Sequence, residues 1–394
     1  MLALADALSS NGHMTLIRVQ PEWMLSTGDG RPRTLNDVMS LLTAVEQEKN
    51  LSRACAKLKL SYRHAWGLIQ RASHSLGAPL LHSVRGQGAS LSALGERLVW
   101  ANRRVSARLS PLLDTIASEL EVEISHAIAK PTNGVRIHGS HSFALDAFRD
   151  HLRELRVPLE LRYCGSEDAL ASLGQSTCDI AGFHTPVGDL ETEFVERWRK
   201  WLRPRAHTLI NFVTRRQGII VAAGNPKRVL TLSDLTRKDV RFVNRQRGSG
   251  TRLLVDVLLR REGIDCRLIA GFDSMEFTHA AVAAYIASGM GDAGIGLETA
   301  ARLFALDFVP LLEERYFLAC HTHAIDSRHI KSLRDILRSR EFRTRLSLLP
   351  GISANACGTT VSMTDAYPQL SKKRQRATKA RRQPTRISAL SSQT

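Results

Sequence analysis

Apolar residues in the first third of the chain recur at helical spacing. Leu35, Val38, Leu41, Leu42 and Val45 share one face of a helix that begins near Thr34. A short second helix follows, capped by Asn50 or Ser52, with Ala54, Cys55 and Leu58 inward. After Lys59-Leu60, Ser61 opens a third helix, Tyr62 to Leu76, whose core side is Ala65, Leu68, Ile69 and Ala72. Upstream, Leu16–Leu25 alternates loosely as a strand and Ser26–Arg33 is rich in turn formers. Downstream, Pro79-Leu80-Leu81, a tip at Arg85-Gly86-Gln87-Gly88 and a return run to Leu91 read as a hairpin. Ser92 then starts a long helix reaching about Leu120.

From Gly134 the period changes. Val135–His138, Leu159–Tyr163, Asp179–Phe183, Gly218–Ala222, Val240–Val243 and Asp292–Ile295 are short β-type runs, most of them followed by helical patterns. Such alternation predicts an open α/β sheet. The expected divisions are residues 1–33 as an N-terminal segment, 34–120 as a helical module with its long helix, and 121–133 as a hinge. Residues 134–350 form the α/β domain, and 351–394 a C-terminal segment ending in a basic tail without acidic residues from Lys372 onward.

Three places repeat one theme, a strand followed by Gly-Ser and then a helix: Gly139-Ser140, Gly165-Ser166 and Gly248-Ser249. The first N–H groups of a helix lack intrahelical partners, and the helix dipole favours negative charge there. At the break Gly248-Ser249-Gly250, Ser249 and Thr251 add hydroxyl donors, and Arg245, Arg247 and Arg252 add positive charge. Two readings stand: an ordinary strand–helix turn, or a site for a small anion. The Gly-x4-Gly-Lys-Ser/Thr loop of nucleotide-binding proteins is absent. Several such turns meeting at the carboxyl ends of strands would form an oxyanion cage.

Charge enlarges the picture. A formal net charge of +17 points to an anionic partner, although part of it lies in the tail. The third helix exposes Tyr62, Arg63, His64, Gln70, Arg71 and His74; the first five of these, Ser61 and Trp66 at its start, and Arg85 at the hairpin tip are candidate DNA contacts. The alternative is a helical packing module with a solvated basic face. The six cysteines contain no Cys-x-x-Cys pair, which fits reduced thiols and no zinc site. No His/Cys spacing supports a metal, and no nucleophile–base pair is visible, so neither metal nor catalytic residues are expected. Met1–Leu8 lacks a basic flank and does not read as a signal peptide, and no window is long enough to span a membrane. A cytoplasmic protein without membrane association is expected.

The run Ser61-Tyr62-Arg63-His64-Ala65-Trp66 and the run from Leu91 to Leu98 resemble the N-terminal domain of ModE-type, molybdate-responsive repressors, and more distantly LysR-type regulators. The resemblance covers about Thr34 to Arg108 and implies a dimeric winged helix-turn-helix domain. From Val135 to Leu318, the runs at Ile137–Ser142, Asp179–His184, Arg216–Pro226, Phe242–Arg252 and Asp292–Gly296 resemble the periplasmic-binding-protein-like (type II) domain fused to such modules, which implies two lobes. Asn244–Thr251 looks like the Ser-Arg-Gly-Asp-x-Ser-Gly-Thr signature of tungstate-binding transport proteins, with Gln246 and Arg247 replacing its Gly and Asp. By that likeness Arg245, Ser249, Gly250 and Thr251 are oxyanion ligands, Ser140 and Ser166 complete the cage, and His184 and His279 are weaker candidates. The expectation is a homodimeric regulator that binds a double-stranded operator and senses molybdate or tungstate as effector, with no cofactor. The rival expectations are an intracellular oxyanion store and a LysR-type regulator answering to an organic acid.

Overall fold

A computed structural model describes residues 17–26, 32–84, 88–127 and 134–368. Arg85, the last six residues of the expected hinge and the basic tail from Lys372 lie outside the described residues. In chain order, β1 (Met24–Ser26) pairs antiparallel with β2 (Pro32–Thr34) ahead of α1 (Asn36–Glu48), α2 (Leu51–Leu58) and α3 (Tyr62–Leu76). The strands β3 (Leu81–Val84) and β4 (Gly88–Leu91) pair antiparallel, and α4 (Ala93–Ala127) follows.

Local chemistry sets these boundaries. The Asn50 side chain accepts from Arg53 N at 3.0 Å, and the Ser61 hydroxyl accepts from His64 N at 3.2 Å. Lys49 and Lys59 close α1 and α2 in left-handed geometry, with φ of 51° and 56°. Ser92 starts α4, its hydroxyl accepting from Gly95 N at 3.1 Å. Leu41, Leu42, Val45, Ala54, Ala65, Ile69, Leu80 and Val99 are buried in one core. Each large side chain among them contributes about 1.5–3 kcal/mol. This core holds α1, α2, α3, the hairpin and the start of α4 together. The 35-residue α4 passes Pro111, whose carbonyl accepts from the Thr115 hydroxyl at 2.8 Å, and ends at Ala127, beyond the expected Leu120.

The α/β part continues with β5 (Val135–Gly139), α5 (Phe143–Glu154), β6 (Leu159–Tyr163), α6 (Ser166–Gly174), β7 (Ile180–Pro186), α7 (Glu191–Trp198) and β8 (His207–Val221). Next come β9 (Phe242–Arg245), α8 (Gly250–Arg261), β10 (Met275–Glu276), α9 (His279–Ala287), β11 (Ala293–Leu297), α10 (Glu298–Leu303) and β12 (Asp307–His321). The described chain ends with α11 (Arg328–Arg338), α12 (Arg340–Ser347), β13 (Ile352–Ser353), β14 (Thr360–Ser362) and α13 (Met363–Ala366).

The chain divides into two compact units, the boundaries falling within β8, between Arg216 and Gln217, and within β12, between Leu311 and Leu312. In one unit, β5 pairs parallel with β6 and β7, β12 pairs antiparallel with β7, and β13 and β14 pair antiparallel with β8. Its core gathers Ile137, Phe148, Leu161, Phe212, Tyr316, Leu333 and Phe342. Residues 352–367, expected to lie in a C-terminal segment, belong to this unit: Tyr367 is fully buried and its hydroxyl meets that of Thr185 at 2.8 Å. In the other unit, β9 pairs parallel with β10 and β11, and β11 pairs antiparallel with β8. Ile219, Val240, Phe242, Val255 and Ile295 form a core there, and this unit also contains the N-terminal helices.

Candidate functional site

Helix α3 buries Ala65, Ile69 and Ala72 and turns Tyr62, Arg63, His64, Gln70 and Arg71 to solvent. These are five of the eight expected DNA contacts. Ser61 caps the helix, and Trp66 is half-buried against the core with its ring parallel to Tyr62 at 6.5 Å. The exposed set combines two guanidiniums, an imidazole, an amide and a phenol on one helix, three of them in its first turn. That mixture can meet phosphates and base edges.

In the same unit, β9 hands over to α8 through Gly248, whose φ of +85° needs a residue without a Cβ. Ser249 caps the helix: its hydroxyl accepts from Arg252 N at 3.1 Å. The buried Thr251 hydroxyl accepts from the side-chain amide of Gln217 at 3.1 Å. Gly250 is the first helical residue. Arg245 is buried, and its guanidinium donates to Phe277 O at 2.9 Å and to the Gln246 side chain at 3.2 Å. The other two arginines do not add free charge at the turn, contrary to the expectation from spacing. Arg252 donates to Asp256 at 3.1 Å and lies over the Phe272 ring, and Arg247 is exposed with Asp273 at 3.7 Å. His279 opens α9 and is buried beside Gly296. An open hollow of about 420 Å³ beside α8 is lined by Arg247, Arg252 and Arg267; each has a carboxylate partner, so it offers no uncompensated charge.

The other unit brings two expected ligands together. Ser140, at the end of β5, and Ser166, the first residue of α6, both lie within hydrogen-bond distance of His184 Nδ1, at 3.2 and 3.3 Å. Ser142, not Ser140, caps α5. Behind the ring, His184 Nε2 is 3.8 Å from Glu314, whose Oε2 accepts a hydrogen bond from Arg215 Nε at 3.0 Å and lies 3.0 Å from Arg215 Nη2 in an ion pair. Tyr316 stacks on the His184 ring and donates its hydroxyl to Ser140 O at 2.9 Å. Burial pushes the Tyr316 phenol up, which keeps it neutral, and pushes the neighbouring Cys164 thiol up to about 11, which makes it a poor nucleophile. Gly139 and Gly182 leave room for that phenol; a Cβ would come within 2.8 and 2.5 Å of its oxygen. Sequence reasoning missed Glu314, Arg215 and Tyr316, which lie far from the serines along the chain. The strand pattern of β12 was the one available signal.

A second set of contacts ties α4 to the turn at Arg245. Glu276 is fully buried and pairs through both oxygens with Arg108 on α4, at 2.5 Å each. Thr278 donates its hydroxyl to Ala107 O at 2.7 Å. On its other side this same strip accepts from the turn: Gln246 N donates to Glu276 O at 3.1 Å, beside the Arg245–Phe277 bond. Among the described residues no cluster of three His, Cys, Asp or Glu side chains can hold a metal, and no helix is long and apolar enough to cross a membrane.

Comparison with known proteins adds four likenesses. Residues 145–338 match the family model of a PBP superfamily domain. The Bacillus subtilis (strain 168) protein YvgK is 31% identical over 252 residues, which are 63% of this chain and 80% of YvgK. The molybdenum-pterin-binding protein MopB of Rhodobacter capsulatus is 29% identical over 89 residues, covering 22% of this chain and 33% of MopB. A solved structure of a cysteine mutant of OxyR from Corynebacterium glutamicum aligns with a TM-score of 0.40 at 16% identity, covering 79% of this chain and 93% of that one.

Proposed function

This chain belongs to the family of Bacillus subtilis YvgK, and from that premise and the site geometry we propose that it is a DNA-binding transcriptional regulator governed by a small oxyanion, molybdate or tungstate. In this reading the N-terminal helices and hairpin act as a winged helix-turn-helix, with α3 as the reading element. Two copies would engage operator half-sites about one helical turn apart. Each α/β unit presents donors suited to an oxyanion: the hydroxyls of Ser140 and Ser166 in one, and the α8 start with Ser249, Gly250 and Thr251 in the other. MopB, by its name a binder of molybdenum-pterin, favours the molybdate choice.

The observation that carries the proposal is the strip Glu276–Thr278. It bonds on one side to the turn at Arg245 and Gln246 and on the other to α4 at Ala107 and Arg108. A shift of the turn on anion binding would therefore move the helix that leads from the reading head. The anion can bias DNA binding only by its differential affinity for the two arrangements.

The test is a thermal-shift screen of the full chain with molybdate, tungstate, sulfate, phosphate and carboxylates. It is paired with affinity measurements on duplexes selected from a random pool, with and without the active anion. A selective rise in melting temperature, lost in Ser249→Ala and Thr251→Ala and accompanied by a change in duplex affinity, is expected. No response to any oxyanion, or a response to carboxylates alone, would overturn the oxyanion assignment.

A further inference from the structure

We propose that His184 is a positioning residue that aims the Ser140 and Ser166 hydroxyls at a fully deprotonated oxyanion, taking up a proton as the anion binds. The inference rests on the oxyanion reading above and adds to it a preference among anions and a pH dependence.

Two hydroxyls share one ring nitrogen, at 3.2 and 3.3 Å. If Nδ1 carries a lone pair, it accepts the hydrogen of one serine, and that hydroxyl is lost as a donor to a ligand. If Nδ1 carries a hydrogen, it donates to the serine oxygens, and both hydroxyl hydrogens are turned outward. The state of Nδ1 therefore decides whether this cluster offers one donor or two.

The far side of the ring selects between these states. Nε2 lies 3.8 Å from the Glu314 carboxylate, and that negative charge favours placing the hydrogen of a neutral ring on Nε2. Two outward donors then require a second proton, on Nδ1. Glu314 does not supply the compensating charge by itself, because its buried ion pair with Arg215 already offsets it. An arriving dianion does. The groups facing the ring include Ser140 from the end of β5, Ser166 from the start of α6, and Glu314 and Tyr316 from β12, with Arg215 of β8 behind Glu314. Tyr316 spends its hydroxyl hydrogen on Ser140 O, which holds that serine's backbone in place and leaves the phenol no part in the exchange.

Two donors and no acceptor suit molybdate, tungstate or sulfate, which carry no proton at neutral pH. Hydrogenphosphate brings an O–H that would face donors. Leaving it without an acceptor weakens binding by roughly tenfold to a hundredfold.

The test is titration calorimetry of the full chain with sodium molybdate and sodium tungstate between pH 6 and 8.5, with sodium phosphate as comparator. Above the histidine range, the association constant should fall by about tenfold per pH unit, the slope for one proton taken up. Heats in buffers of different ionisation enthalpy should show the same proton. His184→Asn places a non-titrating amide N–H where Nδ1 stands, so this variant should bind with little pH dependence. Wild-type binding that is flat with pH, or an undiminished slope in His184→Asn, would overturn the inference and leave the oxyanion reading standing. Should the variant fail to fold, the wild-type slope and proton count decide alone. Absence of binding by every oxyanion would defeat both.

Discussion

Removing the Arg108 side chain tests the link between the anion turn and α4. Glu276 is fully buried, whereas the Arg108 side chain is 42% exposed. Breaking a fully buried ion pair costs about 3–5 kcal/mol, because a charge is left without compensation. Water can enter where the arginine was, so Arg108→Ala should fall at or below the low end, about 2–3 kcal/mol. For a unit of this size that corresponds to a fall of roughly 5–10 °C in melting temperature. Glu276→Gln in the same chain removes the stranded charge, so the double variant should recover about half of the loss. Urea denaturation of the four proteins completes the cycle. Functionally, Arg108→Ala should bind molybdate as wild type does while its duplex affinity no longer responds to the anion. Losses that add within about 0.5 kcal/mol would refute the energetic argument. An unchanged anion response on DNA would refute the coupling.

Gly182→Ala would place a Cβ within 2.5 Å of the Tyr316 oxygen, displacing the phenol that holds Ser140; a loss of about 1–3 kcal/mol and a smaller molybdate-induced thermal shift are expected. Wild-type stability with an intact shift would show that Tyr316 does not matter to the site. Ser61→Ala should cost about 1 kcal/mol in denaturation through loss of the α3 cap. Arg63→Ala should leave stability within about 0.5 kcal/mol yet lower the ratio of specific to non-specific duplex affinity; equal loss on every duplex would reduce Arg63 to a phosphate contact. Burial, aided by the nearby His321 and Arg203, pushes His207 down to about 4, and burial also lowers His138 and His151. The unfolded chain therefore binds protons that the folded unit refuses as pH falls below the ordinary histidine value near 6.5, and stability declines from there toward pH 4. Denaturation midpoints at pH 7.5, 6 and 5 should show that decline, with a shallower slope in His207→Asn.

Much of the architecture is written locally. The apolar period of Leu35–Val45, the caps at Asn50, Ser61 and Ser92, and the glycine before Ser249 act through bonds spanning a few residues, so adjacent residue types suffice to place the helices. Exposure of Tyr62, Arg63, His64, Gln70 and Arg71 follows from the same period, because burying Ala65, Ile69 and Ala72 leaves the opposite face outside. The α/β alternation is legible for the same reason.

Tertiary structure alone decided what each candidate residue bonds to. Ser140 and Ser166 meet at His184 because β5 lies between β6 and β7, a pairing that no single strand announces. Glu314 finds Arg215 across 99 residues, and Arg108 finds Glu276 across 168. The arginines near Ser249 look alike in one dimension, yet Arg252 is drawn to Asp256 and Phe272 while Arg245 is held by Phe277 O. Short-range hydrogen bonds need only neighbours along the chain. The partners of a buried charge are chosen by which strands and helices pack together, because burial penalises every charged group that the final packing leaves without one.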